Sequence, residues 1–195
     1  MTKDFSNSVY HGGKSIFSVR QLVAQGMLAA IGVVLVTLVE IPIFPTAAYL
    51  KYDPADIPIL IGSLLFGPVS GVLLTIVVSF LQSFAIHGSS GVVGFIMHVT
   101  ATSAMAFAVG LLSRKNPTGI RLGAVLACGC VIMTVVMVGM NLLVTPIFFG
   151  LTREKVAETL VPVVIPFNLL KSGINSLVAF GIYRAMGGFL RKISE

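Results

Sequence analysis

An all-α, polytopic membrane protein with six transmembrane helices and both termini in the cytoplasm is the fold this sequence predicts. Three observations lead there. Of the 195 residues, 56% are hydrophobic and only 10% charged, with a mean hydropathy of +1.00, whereas an ordinary soluble domain carries about 25% charge. The apolar residues gather into six segments of helix length, separated by short polar or Gly/Pro-containing junctions. Nine of the thirteen lysines and arginines lie at alternate junctions and at the two ends, which the positive-inside rule assigns to the cytoplasm.

The elements follow in order. A polar tail over residues 1–18, carrying Lys14, leads through Arg20 into the first span, Val19 to Ile41. This head has no short apolar region followed by a small-residue cleavage site, so no cleaved signal peptide is expected. A linker, Pro42 to Asp53, precedes the second span. Asp53-Pro54-Ala55-Asp56 reads as a helix start: an aspartate cap, proline at the first helical position and an acid in the first turn. From there to Gly67 the helix covers about 20 Å at 1.5 Å per residue, short of the roughly 30 Å hydrocarbon core. The linker is therefore expected to dip into the protein, where irregular backbone is shielded from lipid. Gly67-Pro68 turns the chain into the third span, Val69 to Ile86, and His87 to Ser90 form the next loop. The fourth span is Gly91 to Leu112 and the fifth Leu122 to Phe149, joined by a basic loop from Arg114 to Arg121. Thr152 to Thr159 is charged enough for a short surface helix before the sixth span, Val163 to Met186, and a basic tail.

Composition also excludes. The net charge of +6 sits at span ends and reports topology, so nucleic acid is not expected as a partner. Cys128 and Cys130 point to different sides of one helix, which disfavours a disulfide or a metal pair. Gly12-Gly13-Lys14-Ser15 lacks the first glycine of a phosphate-binding loop, since Ser8 stands there. Gly88-Ser89-Ser90-Gly91 matches an intramembrane serine protease pattern, but no histidine base is placed near Ser90. With no carboxylate pair or metal-spaced cluster either, an enzyme is not expected.

The chemistry lies in polar residues inside the spans. With orientation set, Ser79, Gln82 and Ser83 of span three, His98 and Thr102 of span four, and Asn141 and Thr145 of span five fall in the outer half. So do Asn168, Lys171 and Asn175 of span six, which share one helix face at i, i+3 and i+7. A lysine at the membrane centre costs roughly 2.5–3.5 kcal/mol on insertion scales, so it needs a partner, a wet cavity or a route to the interface. Lys171 lies about 8–13 Å below the top of its helix, far for a snorkelling side chain. The clustering predicts a polar cavity open to the outside and closed below, with the acids Glu40, Asp53 and Asp56 at or above the outer interface. A standalone ion-coupled carrier would place acids at midplane, so a capture subunit that borrows its energy from partners fits better. At the cytoplasmic end, span one carries Ala24, Gly26, Ala29, Ala30 and Gly32. The Gly26/Ala30 pair permits close helix approach, in internal packing or against a partner.

Two blocks resemble a known family. Tyr49-Leu50-Lys51-Tyr52-Asp53-Pro54-Ala55-Asp56-Ile57-Pro58, followed by Phe66-Gly67-Pro68-Val69-Ser70-Gly71, resembles the loop and second span of S components of energy-coupling factor (ECF) vitamin transporters. Ile165-Pro166-Phe167-Asn168-Leu169-Leu170-Lys171 is similar to the sixth-span motif of the riboflavin branch, and Met140-Asn141 to its fifth span. The resemblance covers all six spans. It implies a single transmembrane substrate-binding domain over 1–195, in a bacterial cell membrane, with no cofactor of its own. It further implies docking through small residues of span one, Gly26 and Ala30, on a membrane coupling protein driven by two cytoplasmic ATPases, and release of the vitamin by toppling in the bilayer. ATP is bound only by those partners. Asn141, Asn168 and Lys171 are expected to hold the polar edge of the isoalloxazine ring, which offers both donors and acceptors. Leu50 and Phe167 are expected to cover its faces, with Gln82, His98 and Asn175 completing the site. Where the branch has Asn-Phe, this chain has His98-Val99, which leaves pyridoxine or a hydroxymethylpyrimidine as alternative ligands. On this reading Lys171→Ala weakens capture and leaves expression near normal.

Overall fold

A computed structural model describes the backbone of residues 18–43, 50–86, 91–113 and 117–194, and the side chains of these except 85–86 and 186–194. The N-terminal tail with Gly12–Ser15, the middle of the linker including Tyr49, the His87–Ser90 loop, Arg114 and Lys115 lie outside the described residues.

Helix α1 (Val19–Leu38) opens on a capping box: Ser18 Oγ accepts from the Gln21 amide at 3.2 Å, and Gln21 Oε1 accepts from the Ser18 amide at 3.2 Å. The linker ends pair as a minimal antiparallel ladder, β1 (Ile41–Pro42) against β2 (Lys51–Tyr52), with Lys51 Nζ 3.0 Å from Glu40 Oε2 across it. This ladder was not expected in an all-α reading. Helix α2 (Asp56–Phe66) has 11 residues, about 16 Å long. Asp53 Oδ1 accepts from the Ala55 amide at 3.2 Å, but the helix starts at Asp56 behind Ala55 and not, as the sequence predicts, with Asp53 as cap and Pro54 in the first helical position.

Gly67 takes φ +89°, a left-handed value that suits glycine, and Pro68 begins α3 (Pro68–Phe80). A π-helical stretch, Leu81–Ile86, extends it. Helices α4 (Gly91–Leu112) and α5 (Ile120–Phe149) follow, and then α6 (Arg153–Thr159), capped by Thr152. A second π-helical stretch, Leu160–Val164, leads into α7 (Ile165–Ser194). Pro162 and Pro166 lack amide hydrogens and interrupt the ordinary helical ladder at this entry.

Among the described residues, α1, α4, α5 and the run Arg153–Ala185 are long and apolar enough to cross a membrane. Helix α2 and the α3 segment to Phe84 are shorter apolar helices. The short α2 is the axis of the bundle. It contacts α1, α3, α4 and α7, and every residue from Asp56 to Leu64 is buried. One face of α2 joins Met105, Leu122, Met133 and Tyr183, and another packs Ile59 with Val36, Leu74 and Val78. The α3–α4 crossing is tightest at Gly110, where a Cβ would lie 2.5 Å from the Pro68 nitrogen and 2.8 Å from the Gly67 carbonyl carbon. Only glycine allows that approach. The first π-helical stretch carries Gln82 and the α2 axis carries Asp56 to the place where side chains of α4 and α7 also meet.

Candidate substrate-binding site

That place is built around Lys171. Its ammonium has three hydrogens and faces three groups: Asp53 Oδ2 at 2.9 Å, Asp56 Oδ2 at 3.6 Å and His98 Nε2 at 3.5 Å. His98 Nε2 lies between Lys171 Nζ at 3.5 Å and Asp56 Oδ1 at 3.6 Å, and Nδ1 shares a 2.7 Å hydrogen bond with Ser79 Oγ, so the ring's tautomer sets which nitrogen donates. The two carboxylates are held from several sides. Gln82 Nε2 donates to Asp53 Oδ2 at 3.3 Å, and Thr102 Oγ1 donates to Asp56 Oδ1 at 3.3 Å. Asn175 Nδ2 bonds Asp56 Oδ2 at 3.3 Å and the Asp53 carbonyl at 3.1 Å. Tyr52 closes the set from the linker, its hydroxyl donating to Asn175 Oδ1 at 2.8 Å.

Burial makes these contacts matter. Asp56 and Asn175 are fully buried, and Asp53 and Lys171 are 4% exposed. At such positions an unpaired charge costs several kcal/mol, which the mutual arrangement offsets in part. The expectation of an open polar cavity is corrected here: the polar groups close on one another. The acids expected at or above the outer interface are corrected too. Asp53 and Asp56 are interior residues and supply the counter-charge for Lys171. The reason is the position of α2, whose first turn starts inside the bundle, so its capping acids are carried inward.

Of the residues singled out from sequence, Lys171, His98, Gln82 and Asn175 come together in this network. Asn168 lies one turn away on the same helix, 2% exposed. Its Nδ2 donates to the Val164 carbonyl at 2.8 Å, while its Oδ1 has no partner among the described residues. Gln82 Oε1 is likewise buried and without one. Asn141 stands apart, half-buried, bonded within α5 to the Met137 carbonyl at 2.9 Å and to Thr145 at 3.4 Å. Leu50 is half-buried beside β2, and Phe167 is buried. Gly26 and Ala30 are exposed on α1, and a Cβ on Gly26 would meet nothing within 4 Å. Cys130 Sγ is 3.2 Å from Ser176 Oγ, and Cys128 is exposed on the other side of the helix; both thiols are free.

Sequence reasoning missed Tyr52, Asp53 and Asp56 as members of the network. A membrane lysine demands an anion, which pointed to an acid as partner, but residue type alone did not place Asp53 and Asp56 at its depth.

Comparison with known proteins gives a consistent result. The family model "ECF transporter, substrate-specific component" matches residues 20–183. The riboflavin transporter RibU of Staphylococcus aureus (strain TCH60) is 28% identical over 179 residues, covering 89% of this chain and 94% of that protein. The riboflavin transporter FmnP of Bacillus subtilis (strain 168) is 30% identical over 173 residues, covering 84% and 90%. A solved structure described as the S component of a bacterial ECF transporter superposes with a TM-score of 0.74 at 27% identity, over 88% of this chain and 98% of that one. A six-segment apolar chain with a lysine-centred polar network and this similarity along its length belongs to the substrate-specific components of ECF transporters.

Proposed function

We propose that this chain captures riboflavin from outside a bacterial cell and hands it to an ATP-driven module. In this reading residues 1–195 form one membrane domain of six spans in the cell membrane, with both termini cytoplasmic. The short α2 and α3 segments then count as spans two and three. The partners are a membrane coupling protein, met through Gly26 and Ala30 on α1, and two cytoplasmic ATPases. The chain itself performs no catalysis.

The observation that carries the ligand assignment is the α7 face. Asn168 and Lys171 are one turn apart, and Asn168 Oδ1 is a buried acceptor without a protein donor among the described residues. A buried orphan acceptor costs about 1–3 kcal/mol, which an imide N–H of the isoalloxazine edge offsets. Lys171 offers a cationic donor to the adjacent ring carbonyl by giving up part of its hold on Asp53. Riboflavin is also what the similar proteins from S. aureus and B. subtilis are named for. Asn141, near the outer end of α5, is assigned to the same ring edge, and Leu50 and Phe167 to its faces.

His98 favours a second reading. With Nδ1 engaged by Ser79 and Nε2 turned to Lys171, it presents a different polar group from an asparagine amide, which suits a smaller ring such as pyridoxine or a hydroxymethylpyrimidine. Purified protein titrated into riboflavin separates the two. Saturable fluorescence quenching at nanomolar concentration, undisturbed by excess pyridoxine or hydroxymethylpyrimidine, is expected. Absence of quenching, or displacement by either competitor at equal concentration, contradicts the flavin assignment.

A further inference from the structure

At the opposite end of the bundle a groove of about 420 Å³ runs along the seam between the start of α5 and the end of α7. Gly119, Gly123, Ala124 and Ala127 line one side, Phe180 and Arg184 the other. From Gly119 to Ala127 it extends about 12 Å along the helix, the length of a substantial part of an acyl chain. On the α5 side a Cβ on Gly123 would meet nothing within 4 Å among the described residues. Among the described residues Arg184 is the one charged side chain in the lining. It is exposed, and it forms no ion pair with any described residue. Arg121, also exposed, stands on the first turn of α5 at the same end.

We infer that this groove is a binding site for an anionic phospholipid, its acyl chain lying against Gly123, Ala127 and Phe180 and its phosphate on Arg184. The chemistry of the lining selects this occupant. The small residues leave a shallow, open and mainly apolar depression, which suits an acyl chain better than a water-soluble anion. The arginine at the span end meets the depth of lipid phosphates, where its fork geometry suits a phosphodiester. Basic pockets between transmembrane helices on the cytoplasmic side are suited to acidic headgroups. The cytoplasmic placement of this end is the orientation proposed above, but the site does not depend on which vitamin is captured.

Native mass spectrometry of the purified full chain tests this with phosphatidylglycerol and phosphatidylcholine of identical acyl chains. Retention of one phosphatidylglycerol per protein, with roughly five-fold preference over phosphatidylcholine, is expected. Arg184→Gln should abolish the preference, and Gly123→Leu should reduce retention of both lipids. Riboflavin quenching serves as the independent readout and should be unchanged in both variants, showing them folded. Failure of wild-type quenching counts against the proposed vitamin and not against the groove. Equal retention of the two lipids by the wild type, or a phosphatidylglycerol preference that survives both substitutions, overturns the inference. So does a Gly123→Leu variant that keeps its lipid but no longer assembles with the coupling protein, since the groove would then be a protein seam.

Discussion

Helices α1 and α2 are neighbours of similarly apolar composition, yet they occupy opposite situations. Helix α2 is buried on all sides from Asp56 to Leu64, whereas α1 buries only Gln25, Gly32 and Val36. Val19, Leu22, Val23, Met27 and Ile31 are all about half exposed or more. In water such a difference would be written in hydrophobicity. In a bilayer it is not, because lipid is as apolar as a protein core and gives no reason to hide a leucine. What marks the inner helix is its polar content. Helix α2 starts with Asp56 and is preceded by Asp53, and both acids are satisfied inside the bundle, through Lys171, Thr102, Gln82 and Asn175. Helix α1 instead leaves Gly26 and Ala30 exposed on its outer side. One helix anchors the polar network and its neighbour leaves its small residues exposed.

The sharpest break in this contrast is Lys171→Ala. It leaves Asp53 and Asp56 buried without their cation, and loss of one member of a buried ion pair costs about 3–5 kcal/mol. Riboflavin capture and the thermal midpoint in detergent should both fall, which revises the sequence-based expectation of near-normal expression. Asp53→Asn combined with Lys171→Met should recover part of the midpoint and none of the capture. A variant of Lys171→Ala with unchanged melting would show that the acids are not held by this lysine.

Next in size is Gly110→Leu at the α3–α4 crossing. The new side chain would meet the backbone of Gly67 and Pro68, so a loss of more than about 3 kcal/mol is expected from overpacking. Little folded protein should survive size-exclusion chromatography. Gly26→Leu is the counterpart on α1 and the smallest effect on the isolated chain. With nothing within 4 Å of its Cβ position, stability should change by no more than about 0.5 kcal/mol and capture should be unaltered. Energised uptake in cells should nonetheless stop, because the added bulk blocks helix approach. Normal uptake would remove Gly26 from the docking face.

Much of the bundle was legible in the residues. The bounds of α4, the short surface helix α6 and the Gly67-Pro68 turn follow from hydropathy, charge and turn chemistry, which are local properties. Lys171, His98, Gln82 and Asn175 were legible as a group because a polar residue in an apolar span is conspicuous. The roles of Asp53 and Asp56 were not, because a capping acid looks the same whether its helix starts at the interface or within the bundle. That choice depends on how deep the 11-residue α2 sits, a tertiary property. The π-helical stretches at Leu81–Ile86 and Leu160–Val164 were equally invisible, since apolar periodicity over five or six residues cannot separate a wide turn from an ordinary one. They matter because the first of them presents Gln82 to Asp53.

The claim that α7 recognises the vitamin is tested most directly at Asn168, which lies outside the ion-pair network. Asn168→Leu keeps a branched side chain of four heavy atoms and removes both the Nδ2 donor to the Val164 carbonyl and a buried acceptor that has no donor among the described residues. Melting in detergent should therefore hold or rise, while riboflavin affinity, read by fluorescence quenching, should fall about ten- to a hundred-fold. Quenching with wild-type affinity in a normally folded Asn168→Leu protein would contradict the account.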